Sequence, residues 1–193
     1  MRERIAAAAA RIMAEDGIDD FALAKRKAAR SLGAVQTEAL PANDEVEAEL
    51  VAYLALYQAE EHPQRVAELR EVALDTMRAL ERFHPYLTGP VLKGTAGPYA
   101  EIDLQLFPES AKDVELFLLE RGIAFETQEG RRYAGDRAHA VSVFTLLWQD
   151  TPLRLSVFDP RDERVALKTS QAGRVMQRAG IAELATLLRD AAA

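Results

Sequence analysis

The period of the apolar residues changes part-way along this chain, and that change limits the fold more than any other feature. From Arg2 to Phe83 apolar residues recur at helical spacing. Ile5, Ala8, Ala9, Ile12 and Met13 share one face of a first helix, which Gly17 ends. Phe21 to Leu32 suits a second helix, with Lys25, Arg26, Lys27 and Arg30 toward its exposed side and Gly33 at its end. Asp44 with Glu47 suits the capping box of a third, which buries Val46, Leu50, Tyr53, Leu54 and Tyr57. Pro63 sits at a helix start, and Val66, Leu69, Ala73, Met77 and Leu80 form the stripe of a fourth, closed by His84-Pro85.

From Tyr86 onward strands enter. Val91 and Leu92 lead, as a strand, into the turn Gly94-Thr95-Ala96-Gly97-Pro98. Glu101 to Leu106 then alternates with period two. Ser110, with Asp113 three residues on, caps a helix that runs to Arg121 and stops at Gly122. Ile123 to Glu126 and Arg131 to Tyr133 read as short strands. Val141 to Leu147 and Leu153 to Phe158 read as a hairpin around Gln149-Asp150-Thr151-Pro152. Gln171 to Ala192 reads as helical with a corner at Gly180. Helices first, then strands mixed with helices, predict an α+β fold rather than regular βαβ winding. The expected division is a helical region over 1–84 and an α+β domain over 85–193, hinged between His84 and Gly89.

The 193 residues are enough for one good-sized core or two small ones. A formal net charge of −7 does not favour general binding to nucleic acid or anionic membrane, so DNA is not the expected partner. With no cysteine, a disulfide framework, a thiolate metal site and a cysteine nucleophile are excluded. The alanine run after Ile5 is too short and too weakly apolar for a signal segment, and no stretch approaches the roughly 20 apolar residues of a membrane span. The expectation is a soluble cytoplasmic protein.

Within Glu101 to Leu106 the side chains of Glu101, Asp103 and Gln105 share one face, and those of Ile102, Leu104 and Leu106 the other. Two carboxylates this close repel unless a cation stands between them. Mg²⁺, a hard ion held by one or two carboxylates plus substrate phosphates, is the expected cation, with Mn²⁺ its substitute. The small-residue turn just before suits an anion-binding nest of backbone N–H groups, to which Thr95 adds a hydroxyl. A phosphate cradle followed by metal-binding carboxylates suits a nucleoside triphosphate, with ATP the expected one.

Gly94-Thr95, then Glu101-Ile102-Asp103-Leu104, resembles the signature of the nucleotidyltransferase (DNA polymerase β-like) superfamily. That family places a Gly-Ser turn shortly before a strand bearing an Asp-apolar-Asp/Glu pair. The resemblance spans roughly Thr76 to Asp159. It implies a mixed sheet with flanking helices, and Mg²⁺-dependent transfer of a nucleoside monophosphate to a protein, RNA or small-molecule acceptor. It also implies that Gly94 and Thr95, with Lys93 beside them, hold phosphates. Glu101 and Asp103 would then be metal ligands and catalytic carboxylates. Thr95 stands for the family's serine and Glu101 for its first aspartate. For the family's third carboxylate the candidate is Asp159, after Leu153 to Phe158. Without that third carboxylate the chain reads as a degenerate member that binds or regulates without transfer.

Lys93, Arg131, Arg132, Arg154 and Lys168 could each neutralise triphosphate charge, although ordinary surface charge is the simpler reading of any one of them. The first thirty-three residues also resemble the start of a TetR-type DNA-binding domain, through Arg4-Ile5, Ala8-Ala9, Ile12, Ala14 to Gly17 and Lys27 to Gly33. A regulator of that type needs a recognition helix directly after Gly33. Pro41 argues against one, and the basic residues suit a solvated face, or an RNA acceptor. His62, His84 and His139 lack metal-ligand spacing. Gly-x-Ser-x-Gly and P-loop sequences are absent.

Overall fold

A computed structural model describes residues 1–18, 20–34, 39–134, 137–168 and 175–191. It is α+β, as the period change predicts: seven α-helices and a six-stranded mixed sheet among the described residues. None of these helices is long and apolar enough to cross a membrane. The chain forms two compact units, residues 1–66 with 93–100, and residues 67–92 with 101–193.

The first unit is built on α1 (Arg2–Asp16), α2 (Phe21–Ser31) and α3 (Asn43–Tyr57). Ile5, Ala9, Ala10, Ala24 and Ala28 are buried together with Val46, Leu50 and Leu54, so small residues let these helices approach closely. Gly17 closes α1 at φ 65°, a left-handed cap that an L side chain resists. Asp20 caps α2 by accepting the N–H groups of Ala22 and Leu23. The start of α3 differs from expectation. Ala42 is its N-cap, and Glu45, not Glu47, reaches back to accept the Ala42 N–H at 2.6 Å. Glu45 is also held by Arg2. Tyr57 is exposed rather than buried. Residues 35–38 of the segment tested for a recognition helix lie outside the described residues. Residues 39–42 are non-helical, and α3 begins at Asn43. Lys25 donates to the Pro41 carbonyl and Asn43, and Lys27 pairs with Asp16.

The helix α4 (Glu61–Ala79) spans both units in sequence. In the second unit it is followed by β1 (Tyr86–Thr88), α5 (Gly89–Lys93), β2 (Ile102–Leu106), α6 (Ala111–Glu120), β3 (Phe125–Ala134), β4 (Arg137–Trp148), β5 (Thr151–Val157), β6 (Arg178–Ala179) and α7 (Ile181–Ala191). The sheet order is β3-β4-β5-β2-β1-β6, with β2 and β5 parallel and all other neighbours antiparallel. Three expectations are corrected. Val91 and Leu92 belong to α5, not to a strand, because Gly89 at φ 75° turns the chain into a helical turn. The two short strands expected between Ile123 and Tyr133 are one strand, β3, paired along its length with β4. Of the tail expected to be helical from Gln171 to Ala192, residues 171–174 and 192 lie outside the described residues, 175–180 are not helical, and α7 begins only at Ile181. The hairpin β4–β5 turns on Gln149 and Asp150 alone, both at positive φ, in keeping with the two-residue turns that match strand twist.

The register puts Leu87, Leu104, Leu155 and Phe144 in one row across the sheet, and Ile102, Leu153, Leu146 and Phe125 in the next. Ile102, Leu104, Leu106, Leu153 and Leu155 are essentially inaccessible. Each contributes roughly 1.5–3 kcal/mol by burial. Ala73, Met77 and Leu80, and Val114 and Leu118 of α6, are buried in the same unit, and Phe83 meets Phe117 edge-on at 5.6 Å. On the other sheet face Tyr86, Val141 and Val143 pack with Phe107, Phe158 and Leu167 toward one end, and the polar residues toward the other end carry the candidate site.

Candidate functional site

Period two delivers Asp103 and Gln105 to the polar face of β2. The register then adds neighbours that no local motif names. Asp103 stands between Thr88 of β1 and Arg154 of β5, and Arg154 stands beside Thr145 of β4. One row further, Gln105 lies between Tyr86 and Ser156, with Val143 beyond. This second row is covered. Gln105 and Ser156 are buried, and the Gln105 amide contacts the Met176 sulfur at 3.7 Å. Thr88 donates to the Gln177 carbonyl at 2.7 Å. In the first row Thr88 is buried, but the side chains of Arg154 and Asp103 are 43% and 25% exposed.

Arg154 is the organising cation. Its Nη2 lies 2.6 Å from Glu101 Oε2, and its Nη1 3.6 Å from Asp103 Oδ1. The repulsion expected between the paired carboxylates is therefore relieved by a guanidinium of the chain itself. Gly89 packs against the same carboxylate. A Cβ added there would fall 2.8 Å from Asp103 Oδ2, so glycine is needed both for its φ of 75° and for the approach.

Arg154 engages one oxygen of each carboxylate, so a divalent ion on this pair would have to compete with a guanidinium already between them. Among the described residues no three His, Asp or Glu gather into a metal-holding group. The residues present do not fit a resident Mg²⁺ or Mn²⁺. Asp159, the expected third carboxylate, does not join the pair. It lies beyond Phe158, which is four residues past Arg154 and so about 13 Å along the strand. It caps the 3₁₀ turn Pro160–Arg164 by accepting the Arg161 N–H at 2.9 Å. It also lines an open cleft of about 570 Å³ with Ser110, Glu129, Arg131 and Ser142.

The expected phosphate cradle falls in the first unit, while the carboxylates fall in the second. Lys93 is held by Glu47 at 2.7 Å. Thr95 and Ala96 are buried, and His62 hydrogen-bonds the Ala96 backbone. Gly97 approaches the Gly17 backbone. Gly94 takes φ 74° at the end of α5. In the first unit, then, this loop is a packed connection.

Sequence reasoning weighed Arg154 and Arg132 as neutralisers of triphosphate charge or, more simply, as surface cations, did not see Arg154 as the partner of the carboxylate pair, and did not single out Gly89. Arg154 becomes legible once β5 is set in parallel register beside β2. Gly89 had one local signal, a glycine before Pro90 at the end of a strand. Compared with known proteins, the chain matches no family model, no curated protein and no solved structure.

Proposed function

We propose that this chain binds a nucleotide on the polar face of its sheet and does not transfer it: a nucleotidyltransferase-like protein adapted to binding or regulation. The observation that carries the reading is Arg154. It stands in register beside Asp103, on the strand from which the family's third carboxylate would come, and brings positive charge there instead of negative. Transfer in that family draws on a metal-binding carboxylate pair and a third carboxylate that helps activate the attacking hydroxyl. Here two carboxylates are closed by a guanidinium, and Asp159 is spent on a turn. The open stretch of Asp103, Arg154 and Thr145 keeps a surface that can take a polar ligand. Such a protein suits the cytoplasm, where nucleotides and a candidate RNA or protein partner are at hand.

The test is incubation of the full chain with each α-labelled NTP, Mg²⁺ or Mn²⁺, and a cell extract. The expected result is no covalently labelled RNA, protein or small molecule, alongside saturable noncovalent retention of at least one NTP. Labelled product that disappears in Asp103→Ala would establish the transferase instead.

A further inference from the structure

The two edges of the sheet differ. At one, β6 is only two residues long, Arg178–Ala179, and α7 follows at once. At the other, β3 runs for ten residues, Phe125–Ala134, and pairs with β4 without a bulge. One contact fixes how the outer side of β3 points. Tyr133 donates to the Lys168 carbonyl at 2.9 Å and accepts the Lys168 N–H at 2.8 Å, so its backbone groups face away from β4. Bonding direction alternates along an antiparallel strand, so Phe125, Thr127, Glu129 and Arg131 also turn their N–H and C=O outward. Among the described residues no other backbone group takes them, and the Arg131 carbonyl accepts a guanidinium N–H of Arg132 at 2.9 Å. Glu126, Thr127, Gln128, Glu129 and Arg131 are exposed. An edge of this length is ordinarily blunted by proline, lysine or a bulge, and β3 has none of them.

We propose that the outer edge of β3 pairs antiparallel with the same edge of a second copy of this chain, joining their sheets across a two-fold axis. Lys168 already takes the edge at Tyr133, which leaves the stretch from Phe125 to Arg131. One register uses all four outward residues of that stretch in both copies. It sets Gln128 opposite itself on the axis, Thr127 opposite Glu129 and Phe125 opposite Arg131, with about eight main-chain hydrogen bonds. Charge favours a second copy in this register. The strand carries Glu126 and Glu129 against Arg131 and Arg132, so two such edges do not repel as a whole. No like charges stand directly opposite, and Glu126 falls diagonal to Arg132 of the second copy. Moving the axis one residue on would set Glu129 against itself. The pairing is isologous and stops at two copies, because β6 offers no edge of matching length. It is smaller than a standard interface, so the dimer is weak and depends on concentration. It holds whatever the polar face binds.

Sedimentation velocity of the full chain from about 10 µM to about 1 mM tests this. The expected result is a monomer that passes to a dimer, with nothing larger, as concentration rises. Thr127→Pro removes an outward N–H that β4 does not use, so circular dichroism is kept while the dissociation constant rises at least tenfold. Should that variant fail to fold, Glu129→Lys, which gives both edges the same charge, is held to the same loss. The chain has no cysteine, so single substitutions report the register. Under diamide Gln128→Cys links to itself, since opposite residues on the axis lie within disulfide reach. Glu126→Cys sits about 13 Å along the strand from its own counterpart and links at least tenfold more slowly. A monomer throughout the range overturns the proposal, as do species that grow beyond the dimer. A dimer undiminished in a folded edge variant, or equal linking at both cysteine positions, overturns it as well.

Discussion

Replacing Arg154 by methionine keeps most of the aliphatic stem and removes the guanidinium from between Glu101 and Asp103. Arg154 is 43% exposed, so its ion pairs are screened by solvent. Together they contribute about 1 kcal/mol. Their loss also leaves two carboxylates about 7 Å apart at one strand period. With an effective dielectric between the ~20 of a protein surface and the ~80 of bulk water, that repulsion is about 1 kcal/mol. The variant should lose about 2 kcal/mol of unfolding free energy at pH 7 and low salt, read by urea titration of circular dichroism. It should also gain a response that the parent chain lacks. Mn²⁺ at ten times its dissociation constant restores about 1.4 kcal/mol by mass action, because it takes the place that the guanidinium left. A variant as stable as the parent in chelator, with no response to Mn²⁺, would refute Arg154 as the cation that holds this pair.

Gly89→Ala meets both a positive φ and the Asp103 carboxylate at 2.8 Å, and should cost about 2–3 kcal/mol by the same titration. Leu104→Ala, at the inaccessible centre of the apolar face, should cost about 2–5 kcal/mol. Asp159→Ala removes only a cap on a short turn: about 1 kcal/mol of stability and no change in ATP retention. His62 is 6% exposed, and burial, aided by Arg65, lowers its pKa against the opposing Ala96 hydrogen bond. The fold thus keeps His62 neutral while the unfolded chain protonates near its ordinary value, so stability is full above about pH 7 and falls as pH drops through ~6.5. His62→Gln should flatten that slope in thermal melts between pH 7.5 and 5.5.

Local chemistry made most elements legible. Gly17, Ser110 and Gly122 mark helix ends by conformation or by a hydroxyl, and the Glu101 to Leu106 alternation marks a half-open strand. Non-local effects account for what was missed. Glu45 rather than Glu47 completes the cap of α3 because its N-cap is Ala42, two residues before the expected Asp44. The length of β3 comes from its partner β4, since its own residues are largely polar and carry a glycine. For the site, the carboxylate pair was readable from one strand. Its counter-cation was not, because Arg154 lies fifty-one residues after Asp103 and meets it only through a parallel register. The turn Gly94 to Gly97 looked like a phosphate cradle because small residues serve equally for close packing. Here Ala96 is inaccessible and Gly97 approaches the Gly17 backbone.

Equilibrium dialysis of the full chain against α-labelled ATP, with one half of the retained label counted as bound and the other after denaturation, separates holding from transfer. In EDTA the label should be retained saturably, with all of it released on denaturation, and Mg²⁺ should change neither result. Label that survives denaturation, or retention that appears only with Mg²⁺ and vanishes in Asp103→Ala, would contradict a sheet that binds nucleotide without transferring it and whose carboxylate pair is closed by Arg154.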